Sequence, residues 1–124
     1  MKRNRLKIFH HRKKTVQRDN EGNTYPSYSP AVSFEGEAWP ASGKIQAEIY
    51  GQRLPYIYNL RINGRYEMNR DEQDKQIHYS FSDTDLDFVE GDGICLFVEP
   101  EQEPDYRIIS IRPHRFLRLE VERI

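Results

Sequence analysis

The acidic run Asp83-Thr84-Asp85-Leu86-Asp87, followed by Glu90 and Asp92, is the densest set of potential ligands in the chain. A calcium ion takes several carboxylate oxygens from one loop, and an EF-hand loop adds a glycine at its sixth position and an acid at its twelfth. Counting from Asp83, those positions hold Phe88 and Ile94, so a solvated acidic turn is the expectation. The histidines are dispersed. His10 and His11 are neighbours in an extended stretch, where successive side chains point to opposite faces, and His78 and His114 stand apart from each other and from any cysteine pair. Neither calcium nor zinc binding is therefore expected, and no cofactor is called for.

Nucleophilic chemistry finds no better support. Cys95, the sole cysteine, sits inside Ile94-Cys95-Leu96-Phe97-Val98, where a thiol is expected to be buried and inert. It also leaves no partner for an intrachain disulfide, which fits a reducing compartment. Ser80, Ser82 and Ser110 lack a nucleophile-elbow context, and Gly91-Asp92-Gly93 lacks the glycine spacing of a phosphate loop. Acids are plentiful, but nothing singles out a catalytic pair. These residues point to binding or structure rather than to an enzyme.

Charge offers a different kind of chemistry. The formal net charge of −1 provides no overall attraction to nucleic acid or to an anionic membrane. Its distribution is uneven. Arg3, Arg5, Lys7, Arg12 and Lys13 lie in an acid-free opening, whereas acids dominate from Asp71 to Asp105. The basic opening is thus a candidate partner-binding segment. With Phe9 and the later tyrosines it also permits an alternative, a small β-barrel that binds single-stranded nucleic acid. The opening lacks the apolar run of a signal peptide, and no run has the length of a membrane span.

The elements that must position these groups read as short strands. At 124 residues and 36% hydrophobic content, one domain with a modest core is expected over 1–124. Leu6 to Val16 reads as a first strand, Arg18 to Pro30 as a loop rich in turn residues, and Ala31 to Trp39 as a strand with a possible bulge at Gly36. Ile45, Ala47 and Ile49 alternate with Gln46, Glu48 and Tyr50, which predicts a strand leading to a mobile tip at Gly51 to Pro55. Asn63-Gly64 predicts a type I′ hairpin between Tyr56–Ile62 and Arg65–Met68. Asn69 to Gln76 is polar, a helical turn or exposed loop. Strands follow at Ile77–Phe81 and Ile94–Val98, with an acidic turn region at Ser82 to Gly93 between them. Tyr106–Ile111 and Phe116–Val121 close the chain as a pair. Leu117, Leu119 and Val121 alternate there with Arg118, Glu120 and Glu122, so one face enters the core and the other stays wet. The expected class is mainly β, a small antiparallel barrel or sandwich with long loops.

Laid out in this order, the chain resembles the head–tail joining, or head-closure, proteins of long-tailed bacteriophages. Leu6-Lys7-Ile8-Phe9-His10-His11-Arg12-Lys13 is similar to their first strand, and Gly36-Glu37-Ala38-Trp39 with Ser42-Gly43 to their tryptophan strand and glycine turn. Gln46-Ala47-Glu48-Ile49-Tyr50-Gly51 continues the likeness. Val89-Glu90-Gly91-Asp92-Gly93-Ile94 and Asp105-Tyr106-Arg107-Ile108-Ile109 resemble their Gly-Asp turn and closing strands. The departures are the charged insertion Asn69 to Gln76 and the acidic linker Glu99 to Asp105.

The resemblance implies a structural virion protein of the neck, made in the host cytoplasm and assembled as a ring homo-oligomer. Its implied partners are an adaptor or portal protein on the head side and a tail-side protein, with possible contact to packaged DNA and no membrane. A loop after the tryptophan strand helps close the channel in that family. Gln46, Glu48, Gln52 and Arg53 are the matching polar residues here.

Overall fold

The computed structural model describes residues 6–82 and 84–124, so Arg3, Arg5 and Asp83 lie outside the described residues. The strands are β1 (Lys7–Arg12), β2 (Lys14–Arg18), β3 (Thr24–Tyr28), β4 (Val32–Pro40), β5 (Ile57–Ile62), β6 (Tyr66–Arg70), β7 (Ile77–Phe81), β8 (Asp87–Phe88), β9 (Gly93–Cys95), β10 (Tyr106–Pro113) and β11 (Leu117–Arg123). One helix, α1 (Lys44–Tyr50), runs into a 3₁₀ helix, Gly51–Tyr56.

Six strands close an antiparallel barrel in the order β1-β4-β5-β11-β10-β9. The mainly β class is therefore a barrel. Its interior follows the period of two: Leu117, Leu119 and Val121 are fully buried and meet Leu60 and Ile62 of β5 and Ile108 of β10 in one core. A three-stranded sheet, β6-β7-β8, shares that core through Tyr79, Phe81 and Phe88. Phe88 lies edge-on to Phe34 at 5.4 Å and to Phe81 at 5.8 Å, which joins this sheet to the barrel. The Tyr66 hydroxyl adds a second tie by donating to the His114 carbonyl in the β10–β11 turn.

Two glycines allow close approach. A Cβ on Gly36 would stand 2.6 Å from the Arg61 carbonyl oxygen, and one on Gly93 would stand 2.4 Å from Pro104 Cγ. Gly36 is thus not a bulge. Its strand pairs without interruption from Lys7↔Gly36 to His11↔Val32.

Several expected elements differ. Leu6 to Val16 divides into β1 and β2, because Lys13 breaks from the barrel and β2 turns outward to pair with β3. The expected loop Arg18 to Pro30 therefore contains half of a two-stranded ribbon. Its turn is held by Asp19, whose Oδ1 accepts from the Glu21 and Asn23 amides. Asn63-Gly64 does not make a hairpin. β5 pairs with β4 and β11 while β6 pairs with β7, so this turn carries the chain from the barrel to the smaller sheet. The hairpin lies one connection later, across the polar segment 71–76. Phe116, expected in the last strand, precedes it.

Candidate functional site

The largest departure from expectation is the segment Lys44–Tyr56, which is helical rather than a strand and tip. Lys44, Gln46, Ala47 and Glu48 all favour helix, and the helix sits on one side of the barrel over β5 and β11. Its contacts invert the usual amphipathic order. Gln46, Tyr50 and Arg53, spaced i, i+4 and i+7, face the barrel, while Ile45 and Ile49 are 74% and 54% exposed and Tyr56 is 52% exposed. Polar groups hold this helix down.

Gln46 Nε2 donates to Asn59 Oδ1 at 2.7 Å and to Glu120 Oε2 at 2.8 Å, and the Ser42 amide donates to Gln46 Oε1 at 3.1 Å. Arg112 Nε completes the group by donating to Glu120 Oε1 at 2.7 Å. Next to it, Arg53 engages Glu122 through two bonds of 2.7 and 2.8 Å, the bidentate geometry that a planar guanidinium gives with a carboxylate. Arg107 reaches the same carboxylate at 3.3 Å.

The predicted wet face of β11 is thus covered in part. Arg118 is exposed, but Glu120 and Glu122 are 3% and 8% exposed, because the helix and the neighbouring arginines close over them. Burial works against ionisation of Glu120, yet the bonds from Gln46 and Arg112 outweigh it and hold the carboxyl below its ordinary range. For Glu122 the bond from Arg53 leads and again lowers the value. Of the four channel-loop candidates, Gln46 and Arg53 are therefore anchors on the barrel, while Glu48 and Gln52 are exposed.

The basic candidates are divided in the same way. Lys7 is exposed on β1. Arg12 is engaged inside the fold: its guanidinium donates to the Ser29, Gln102 and Tyr28 carbonyls at 2.8, 2.9 and 3.3 Å and lies over the Tyr28 ring. Lys13 Nζ meets Asp87 at 2.6 Å. These two residues pin the β2–β3 ribbon and the small sheet to the barrel rather than awaiting a partner.

The acidic region is not a uniformly solvated turn either. Asp92 is buried and bonds His11 Nε2 at 2.8 Å, while its carboxylate accepts from the Val89 and Lys14 amides at 3.1 Å. Asp105 accepts from the Leu96 and Phe97 amides. Cys95 is buried as expected, and burial followed by the nearby Asp105 charge pushes its thiol above the ordinary value.

Besides Arg12 over Tyr28 and Arg53 over Tyr50, arginine guanidiniums lie over Trp39 and Phe116. Arg118 lies 5.2 Å from the Trp39 ring centre, and Arg61 and Arg115 lie 5.1 and 5.8 Å from that of Phe116. Sequence reading placed cation and aromatic chemistry in the opening; Arg118 with Trp39 and Arg61 with Phe116 span separations too long to be seen in a local window, whereas Arg115 and Phe116 are adjacent. Among the described residues no helix is long and apolar enough to cross a membrane. No family model, curated protein or solved structure matches this chain.

Proposed function

We propose that this chain is a ring-forming structural subunit that joins a bacteriophage head, through its portal and adaptor, to the tail and helps to retain packaged DNA. The observation that carries the reading is the inverted helix Lys44–Tyr50: its polar face is fixed to the barrel, and its apolar ridge, Ile45 and Ile49, is held outward. An exposed apolar ridge on a rigid element suits a surface that another subunit covers. The resemblance in the order of strand and turn motifs supports the same role, since it implies that the segment after the tryptophan strand helps to close the channel. Glu48 and Gln52 are then the side chains free to face a channel or neighbour, with Gln46 and Arg53 setting the position of the segment. Opposed charge along the chain, with Lys7 exposed at the basic end, would orient stacking through several weak contacts acting together.

The test is to make particles without this protein and view them by electron microscopy. Filled or leaking heads without tails are expected. Normal tailed particles would remove the joining role.

A second reading, binding of single-stranded nucleic acid, is favoured by the arginine-covered rings of Trp39 and Phe116 on a small barrel. Trp39 is the chain's sole tryptophan, so its fluorescence reports directly on stacking. Saturable quenching by an oligonucleotide would support this reading, and unchanged emission would set it aside.

A further inference from the structure

The turn between β6 and β7, with the start of β7, gathers three potential ligands within eight residues. His78 Nε2 lies 2.7 Å from Asp74 Oδ2 and 3.8 Å from Asp71 Oδ2, and one ligand atom from each of the three residues falls within 4.8 Å of the others. The other ring nitrogen is already fixed: His78 Nδ1 bonds Asp87 Oδ2 at 2.7 Å. Asp87 is held in turn by Lys13 Nζ at 2.6 Å and by the Ser80 hydroxyl at 3.3 Å. We propose that Asp71, Asp74 and His78 form a binding site for one divalent transition-metal ion of the zinc class, with Asp87 as the carboxylate that orients the ligating imidazole.

The donor set decides the class of ion. One imidazole nitrogen with two carboxylate oxygens suits zinc and its neighbours, whereas calcium prefers an all-oxygen shell of six or more ligands. Tetrahedral zinc places adjacent ligand atoms about 3.3 Å apart at ordinary bond lengths. The present separations bracket that value, so Asp74 would move back slightly and Asp71 would move in. Each aspartate is about two-fifths exposed at its side chain and, His78 apart, is held only through Oδ1, which accepts from the Gln73 amide in Asp71 and from the Gln76 amide in Asp74, so Oδ2 can shift by rotation, while His78 is 13% exposed and fixed. A ring nitrogen held by a carboxylate, with the opposite nitrogen offered to other ligands, is the usual arrangement around a metal-bound histidine.

This revises the expectation that the histidines bind no metal. That expectation looked for a second histidine or a cysteine, whereas the partners of His78 are carboxylates, and Asp87 reaches it only through the β7–β8 pairing. The proposed ion would clasp the β6–β7 turn, which lies in the segment Asn69 to Gln76, without involving the helix Lys44–Tyr50.

Titrating the full chain with zinc chloride by calorimetry, after removal of metal with a chelator, tests the site. One-to-one binding in the micromolar range is expected. His78→Ala and, at the exposed turn, Asp74→Asn should each abolish it, Asp87→Asn should weaken it about 10–100-fold, and a His10→Ala/His114→Ala variant should bind as the parent does. Circular dichroism establishes that each variant is folded, and the Asp74→Asn result stands if His78→Ala does not fold. Absence of saturable binding would overturn the proposal. So would binding that survives in folded Asp74→Asn, or equal binding of calcium, which would show a site that makes no use of the imidazole.

Discussion

His11 Nε2 and Asp92 Oδ2 lie 2.8 Å apart with both residues 3% exposed, although 81 positions separate them. The pair fastens β1 to the turn before β9, and the remaining carboxylate valences hold the Val89 and Lys14 amides. The His11 ring also packs 4.6 Å from that of Phe88, so the polar pair and the aromatic core share one wall. Asp92→Ala would leave the imidazole and two amides without their acceptor. Each buried donor left without its acceptor costs about 1–3 kcal/mol. Asp92→Asn keeps a carbonyl acceptor and should cost less, about 1–3 kcal/mol. Urea unfolding of the two variants against the parent measures both, and equal stability of all three would contradict the assignment.

Acid should weaken the attachment of the helical cover. Glu120 and Glu122 both ionise more readily in the folded chain than free glutamate does, because Gln46 and Arg112 hold the first and Arg53 and Arg107 the second. A depressed folded value means that their stabilisation is fully present above the ordinary glutamate range and is lost as pH falls through the folded value. Asp87 is lowered too and adds to the same acid limb, so the comparison must be made by substitution. Glu120→Gln/Glu122→Gln should unfold at lower temperature than the parent near about pH 7, with the gap closing toward about pH 3. A gap that stays constant over that range would show that these carboxylates do not fasten the cover through charge.

The basic residues should separate by role. Replacing Arg12 with alanine removes donors to three backbone carbonyls that bring together the ribbon and the linker at Gln102, and it should cost about 1–3 kcal/mol. Lys7→Glu should leave the unfolding midpoint unchanged and act on docking alone, since Lys7 is exposed. Chemical denaturation of both variants checks this, and destabilisation by Lys7→Glu with none by Arg12→Ala would reverse the two roles. Charge reversal across the whole opening therefore does not isolate a docking effect, because Arg12 and Lys13 are part of the fold.

The barrel was legible where the chain obeys one rule at a time. Leu117, Leu119 and Val121 alternate cleanly, and every one of them is buried. The helix was hidden by a coincidence of periods: Ile45, Ala47 and Ile49 satisfy a spacing of two, whereas the residues that face the barrel, Gln46, Tyr50 and Arg53, are polar and escape a search for apolar faces. The ribbon was hidden because the turn residues Asp19, Asn20, Gly22 and Asn23 lead into β3 and Pro26 lies within it. Burial of Glu120 and Glu122 could not be read locally either. Their partners Gln46 and Arg53 lie 74 and 69 positions away. The same distance in sequence concealed the polar contacts of Asp87 with Lys13 and of Asp92 with His11.

The central claim, that this chain joins heads to tails through the outward ridge of its helix, is tested most directly by adding purified protein to tailless heads and counting tailed particles by electron microscopy after tails are supplied. Ile45 and Ile49 project away from the barrel, so Ile45→Asp/Ile49→Asp should fold as the parent does. The parent protein should bind the heads and restore tail attachment, and the folded double variant should do neither. Equal restoration by the two proteins would contradict the assigned ridge, and tail attachment without any added protein would contradict the joining role itself.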